Sequence, residues 1–195
     1  MGQRSQIYVR YNDGDKKGLI ANYYGWNYGE RMISRAKWGI YHILEKLKYD
    51  RYYTDKTHVT KLSRIFDTNF DMQDIAISCD IIAERAELYP EENFNDSVFL
   101  MQDNNDGKLL IDINTDGVKY AFLNRDANLD HIMDGEAYMC WDDEENWREN
   151  KYLSKEAVKT CEDNIKYISE NATLMTKEEV LEFINYDYMK ENAQE

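Results

Sequence analysis

Hydrophobic and polar positions alternate along Gln6–Tyr11, with Ile7, Val9 and Tyr11 set against Tyr8 and Arg10. A period of two in residues that favour extended backbone predicts a strand. Asn12-Asp13-Gly14-Asp15-Lys16-Lys17-Gly18 follows as a turn, its Asp-Gly step supplying the positive φ that a hairpin needs, and Leu19–Tyr24 returns as a second strand. The period then changes. From Tyr24-Gly25-Trp26-Asn27-Tyr28-Gly29-Glu30 the chain enters a stretch in which Met32, Ile33, Ala36, Ile40, Ile43, Leu44 and Leu47 recur at helical spacing. Asn27 reads as its N-cap and Glu30 as the third helical residue of a capping box. Residues 1–48 thus form a ββα unit.

Downstream patterns are more mixed. Thr57–Asp67 predicts a short helix burying Val59, Leu62, Ile65 and Phe66. Residues 71–88 fit two templates: Ile75, Ile77, Cys79 and Ile81 alternate as in a strand, while Met72, Ile75, Ala76, Cys79, Ile82 and Ala86 form a helical stripe. The length of the segment and Pro90 beyond it favour the helix, giving a helical region over 57–89. Val98–Gln102, Lys108–Ile113, Val118–Leu123 and Ala137–Trp141 read as strands, the first three joined by Asn/Asp/Gly turns. They predict a central antiparallel β-meander over 97–141. In the last region, 153–190, Ser154–Ser169 is a helix burying Ala157, Val158, Cys161, Ile165 and Ile168. A final helix opens at Thr176, with Glu179 completing a capping box and Met175 placed to staple onto Val180. The expected fold is a single α+β domain over residues 1–195.

Composition supports a packed chain: of 195 residues, 43% are hydrophobic and 13% aromatic, including 16 tyrosines suited to half-buried positions. The formal net charge of −14 is unevenly spread, with nine Lys/Arg against five Asp/Glu in residues 1–50 and fifteen against thirty-three in residues 51–195. An acidic body disfavours direct nucleic-acid binding, which runs on phosphate neutralisation by Lys and Arg. It suits solubility and equally a basic protein partner. Cys79, Cys140 and Cys161 are odd in number and widely spaced, so no disulfide framework is expected, in keeping with a reducing cytoplasm. No apolar run has the length of a membrane span, and Met1-Gly2-Gln3-Arg4 does not read as a signal peptide.

Catalytic and metal signatures are sparse. Asp112, Asn114, Asp116 and Gly117 match the first half of a calcium loop, but Leu123 stands where the bidentate Glu belongs. Asp126, Asn128 and Asp130 repeat the spacing, with His131 in place of the glycine. His42, His58 and His131 are isolated, and no phosphate-cradling glycine loop or nucleophile motif occurs. The expectation is no metal, no cofactor and no catalytic residue, an enzyme being disfavoured.

Two features read as interaction surfaces. Arg31, Arg35, Lys37, Lys46 and their neighbours His42 and Lys48 lie off the apolar stripe of the first helix, as a basic ridge that binds phosphate or pairs with the acidic body. Trp141 and Trp147 flank Asp142-Asp143-Glu144-Glu145, either as aromatic anchors in a carboxylate rim or folded back into the core.

The opening Met1-Gly2-Gln3-Arg4-Ser5-Gln6-Ile7-Tyr8-Val9-Arg10, with Tyr23-Tyr24-Gly25-Trp26-Asn27-Tyr28-Gly29-Glu30-Arg31-Met32, resembles small proteins of bacterial prophages and mobile elements. Some acidic proteins of such elements are anti-CRISPR inhibitors, which bind the effector nuclease and block access of guide or target. That resemblance covers about the first 48 residues and brings no catalytic residue with it. It implies a cytoplasmic anti-defence protein of a bacterial host, acting by protein–protein contact as a nucleic-acid mimic on a type II CRISPR nuclease with its guide RNA. The alternatives are a nucleic-acid-acting enzyme or RNA-directed inhibitor, and an oligomeric accessory protein of the element.

Overall fold

The computed structural model describes residues 4–13, 16–25, 27–49, 83–87, 107–114, 117–124, 130–141 and 146–184. The hairpin forms as expected, with longer arms: β1 (Arg4–Asp13) pairs antiparallel with β2 (Lys16–Gly25), Val9 opposite Ile20 and Asp13 opposite Lys16. Helix α1 (Glu30–Tyr49) follows and buries Met32, Ile33, Ala36, Ile40 and Ile43.

The entrance to α1 differs from the capping box. Asn27 is buried, its Nδ2 donating to Ser5 Oγ at 2.9 Å and its Oδ1 accepting from Arg35 Nε at 3.2 Å. Its side chain therefore fastens β1 to α1 instead of capping the helix. Gly29, in the left-handed region at φ 52°, turns the chain, and Glu30 becomes the first helical residue.

The central sheet is not a meander. β4 (Lys108–Asn114) and β5 (Gly117–Leu123) do make the expected hairpin, but β4 lies parallel to β1, with Ile7 opposite Leu109 and Arg10 opposite Asp112. β3 (Ala83–Glu87) adds antiparallel to β2, where the helical stripe predicted helix. Its backbone is held by the free edge of the hairpin, a long-range partner that outweighs local helical spacing. Ala137–Trp141 is likewise not a strand. Asp134 accepts from Ala137 N at 2.8 Å and caps α2 (Gly135–Cys140), which turns Tyr138 onto Phe122 in a stack of 4.8 Å. Val98–Gln102 and Thr57–Asp67 lie outside the described residues.

Two helices form in the C-terminal region, with a short strand between them. Ser154 Oγ accepts from Ala157 N at 3.0 Å and caps α3 (Lys155–Asn171). β6 (Thr173–Leu174) pairs parallel with β5, completing a six-stranded mixed sheet in the order β3-β2-β1-β4-β5-β6. The final helix, α4 (Lys177–Ile184), opens with the capping box: Glu179 N donates to Thr176 Oγ1 at 3.2 Å and Thr176 N to Glu179 Oε2 at 2.9 Å. The staple residues Met175 and Val180 are both buried. The fold is α+β.

Alternation sorts the strands into two faces. Ile7 and Val9, Leu109, Ile111 and Ile113, and Val118, Tyr120 and Phe122 share one core cluster with the apolar sides of α1 and α3. Each such side chain withdrawn from water stabilises the fold by about 1.5–3 kcal/mol. Between α1 and α3, Asn164 Nδ2 donates to Ser34 Oγ at 3.0 Å. Gly135 lets α2 approach them, since a Cβ there would stand 3.2 Å from Ile165 Cγ1 and 3.3 Å from Ile33 Cδ1. The reverse face carries Gln6, Tyr8, Arg10, Lys108, Leu110, Asp112, Ala121 and Leu123, all buried as well. β1 and β4 thus run between two covered faces, which is why Leu109-Leu110-Ile111 is unbroken by polar residues.

Candidate functional site

The described chain runs through α2 to Trp141 and resumes at Asn146; Asp142, Asp143, Glu144 and Glu145 lie outside the described residues. Trp147–Glu149 is a single tight helical turn, capped by Asn146 Oδ1 accepting from Arg148 N at 3.2 Å. Trp147 is 4% exposed and belongs to the core, its Nε1 donating to Glu136 Oε1 at 3.1 Å. Arg148 stacks on its ring at 4.5 Å. The same guanidinium donates to Glu136 Oε1 at 2.6 Å and Oε2 at 3.0 Å, and to Glu162 Oε1 at 2.6 Å. One arginine thereby ties the turn to both α2 and α3.

Trp141 is half-buried against the same core. Of the two readings of these tryptophans, inward packing is realised for Trp147, while Trp141 sits at the edge of the core. Arg148 holds the Glu136 carboxyl below the usual carboxylate range, chiefly through its hydrogen bonds. Among the neighbouring thiols, burial pushes Cys161 up to about 12, and Cys140 is raised by partial burial and by Glu136.

The basic ridge on α1 does not form as a surface row. Arg35 is 1% exposed and donates inward to Asn27. Its position borders Met32 and Ala36 on the helix, so burial of that face carries it in. Arg31 lies over the Tyr28 ring at 5.2 Å, and the Lys37 ammonium sits over Tyr41 at 5.1 Å and Tyr167 at 5.2 Å, joining α1 to α3. The side chain of Lys46 lies outside the described residues. His42 is half-buried and packs edge-on against Trp38 at 4.1 Å and Tyr41 at 5.1 Å, not out in solvent.

A second polar constellation, which local sequence reading misses, lies on the reverse face of the sheet. The parallel register sets Arg10 beside Asp112, and the antiparallel register sets Asp112 beside Lys119. Arg10 grips Asp112 as a fork, Nε to Oδ1 at 2.8 Å and Nη2 to Oδ2 at 2.7 Å. From α4, Glu182 approaches Arg10 at 3.5 Å, Glu179 pairs with Lys119, and the Phe183 ring lies 4.9 Å from the guanidinium. Beside them Tyr8 Oη donates to Gln6 Oε1 at 2.6 Å, and desolvation raises the Tyr8 hydroxyl well above its ordinary value. Both Asp112 oxygens face the Arg10 fork. The available signal was Gln6, Tyr8 and Arg10 at alternate positions of β1 and Lys108 and Asp112 on β4, but their pairing needed the register.

Among the described residues there is no group of three His, Cys, Asp or Glu side chains placed to hold a metal, and no helix long and apolar enough to cross a membrane. No family model, curated protein or solved structure matches this chain.

Proposed function

We propose that the protein acts by docking its acidic segments on the basic surface of a partner protein, most concretely the nucleic-acid channel of a type II CRISPR nuclease, as an anti-defence inhibitor of a phage or mobile element. The observation that carries this reading is the partition of charge. Among the described residues Lys/Arg and Asp/Glu are nearly equal in number, so the net −14 resides almost wholly in the remaining segments. Four of the described cations are engaged in ion pairs: Arg10 with Asp112, Lys119 with Glu179, Arg148 with Glu136 and Glu162, and Lys177 with Asp130 at 2.6 Å. A charge-balanced scaffold does not require the excess carboxylates for its own ion pairs. In this reading they meet Arg and Lys that otherwise hold phosphates. Asp142-Asp143-Glu144-Glu145, on a stem fixed by Trp147 and Arg148, is the densest such run.

The test is DNA cleavage by a guide-loaded type II nuclease with increasing amounts of the protein, alongside binding measured at low and high salt. Inhibition that fades with salt and with the combined D142N, D143N, E144Q and E145Q substitutions is the expected result. Unimpaired cleavage with no complex would remove the nuclease as partner, and salt-insensitive binding would remove the electrostatic mechanism.

A further inference from the structure

We infer that α4 is a charge-latched strap on the reverse face of the sheet, able to open while the sheet stays paired. One carboxylate, that of Glu179, both starts the helix and fastens it to β5. Its two oxygens are divided between the tasks. Oε2 accepts from Thr176 N at 2.9 Å and closes the capping box, while Oε1 accepts from the Lys119 ammonium of β5. The Lys119 hydrogen bond first, and the Thr176 amide after it, hold the Glu179 carboxyl below its usual range.

Helix and seat depend on each other. α4 has eight residues, Lys177–Ile184, where an isolated helix needs about 12–15 to be even marginally stable in water. Away from the sheet it melts, so docking and helix formation are one event, and Glu179 serves both halves of it. Val180 and Phe183 are its buried anchors. Glu182 reaches Arg10 only through a solvent-screened contact. This is a small seat beside that of β4, which is paired along its whole length with β1 on one side and β5 on the other. Segments so held open at lower cost than the strands beneath them. Lys119 and Glu179 are 29% and 31% exposed, so dissolved ions reach the latch. Opening withdraws Glu179 from Lys119, and Glu182 and Phe183 from Arg10, and bares that charge row. The Arg10–Asp112 fork needs no part of α4 and stays closed.

The experiment is hydrogen exchange read by mass spectrometry on peptides covering 177–184 and 108–114, in wild type, Lys119→Met, Glu179→Gln and Glu179→Ala. In the wild type 177–184 should exchange faster than 108–114. Raising sodium chloride to about 1 M should speed it about two- to fivefold, the factor of an ion pair this exposed. Lys119→Met should give the same acceleration at low salt and abolish the salt effect, with 108–114 unchanged. Glu179→Gln keeps an acceptor for Thr176 N and loses only the charge, so it should match Lys119→Met. Glu179→Ala loses cap and latch together and should be at least about twofold faster again. Exchange of 177–184 in step with 108–114 would overturn the strap. Glu179→Ala no faster than Lys119→Met would overturn the shared role of the carboxylate.

Discussion

Removing one partner of the Arg10–Asp112 fork should be among the most damaging single changes in this protein. The Arg10 side chain is 4% exposed and that of Asp112 8%, and the two share two hydrogen bonds of 2.8 and 2.7 Å. In Asp112→Ala the guanidinium stays beneath Phe183, with Glu182 at 3.5 Å on a carboxylate that is itself 68% exposed. Solvent screens that contact, so it compensates little. Stranding a buried charge in this way costs about 3–5 kcal/mol, a large share of the ~5–15 kcal/mol that holds a typical domain folded. The paired replacement Arg10→Met with Asp112→Leu removes both charges, keeps the volume, and should cost much less than Asp112→Ala alone. Urea unfolding followed by circular dichroism measures Asp112→Ala, Arg10→Met, Asp112→Leu and the double variant, and the last three close a double-mutant cycle with wild type. A loss below about 1 kcal/mol in Asp112→Ala, or single losses that simply add in the double variant, would refute the claim that the fork is desolvated and coupled.

Two further outcomes follow from the geometry. Arg148→Gln should lower stability at neutral pH by ~0.5–1 kcal/mol, the pair being 38% and 43% exposed. Because Glu136 is held below its ordinary 4.5, the wild-type advantage is fully present above that value and vanishes as pH falls through the lowered one; thermal melts of both proteins should converge in acid. An advantage that survives full protonation would contradict this assignment. Gly107 has φ 86°, and a Cβ there would lie 2.4 Å from Leu123 O, a backbone atom that has no rotamer with which to yield. Gly107→Ala should cost about 2 kcal/mol or more by urea titration, and a neutral result would mean that the start of β4 relaxes freely.

What could be read from the sequence was what local chemistry decides. The Thr176–Glu179 box before α4 is a short-range device, and it forms as its spacing implies. The β4–β5 hairpin is set by adjacent residues and was equally legible. Asp134 was an available cap signal for α2, but the alternation of Ala137, Met139 and Trp141 obscured it. The placement of β4 beside β1 depends on partners 102 residues apart, and no local period reports that. For the same reason Asp112 read as half of a calcium loop when its partner is Arg10. Asn27 and Arg35 were each assigned a conventional local task, cap and surface cation, and instead bind each other. Nor does a flanking tryptophan disclose whether its indole faces in or out; Glu136, which takes the Trp147 N–H, settles that only in three dimensions.

The parallel neighbour of β1 also governs the order in which the chain can fold. β1, β2 and α1 leave the ribosome within the first 49 residues, yet the strand that fills the middle of their sheet begins at Lys108. Bringing ends about 100 residues apart together costs on the order of 4 kcal/mol in closure entropy, before any contact repays it. Glu182, which completes the charge row on the reverse face, arrives 172 residues after Arg10. The hairpin therefore keeps an open flank along β1 until Lys108–Asn114 has been made. Refolding should be slow and cooperative across the whole sheet, not stepwise from the amino end.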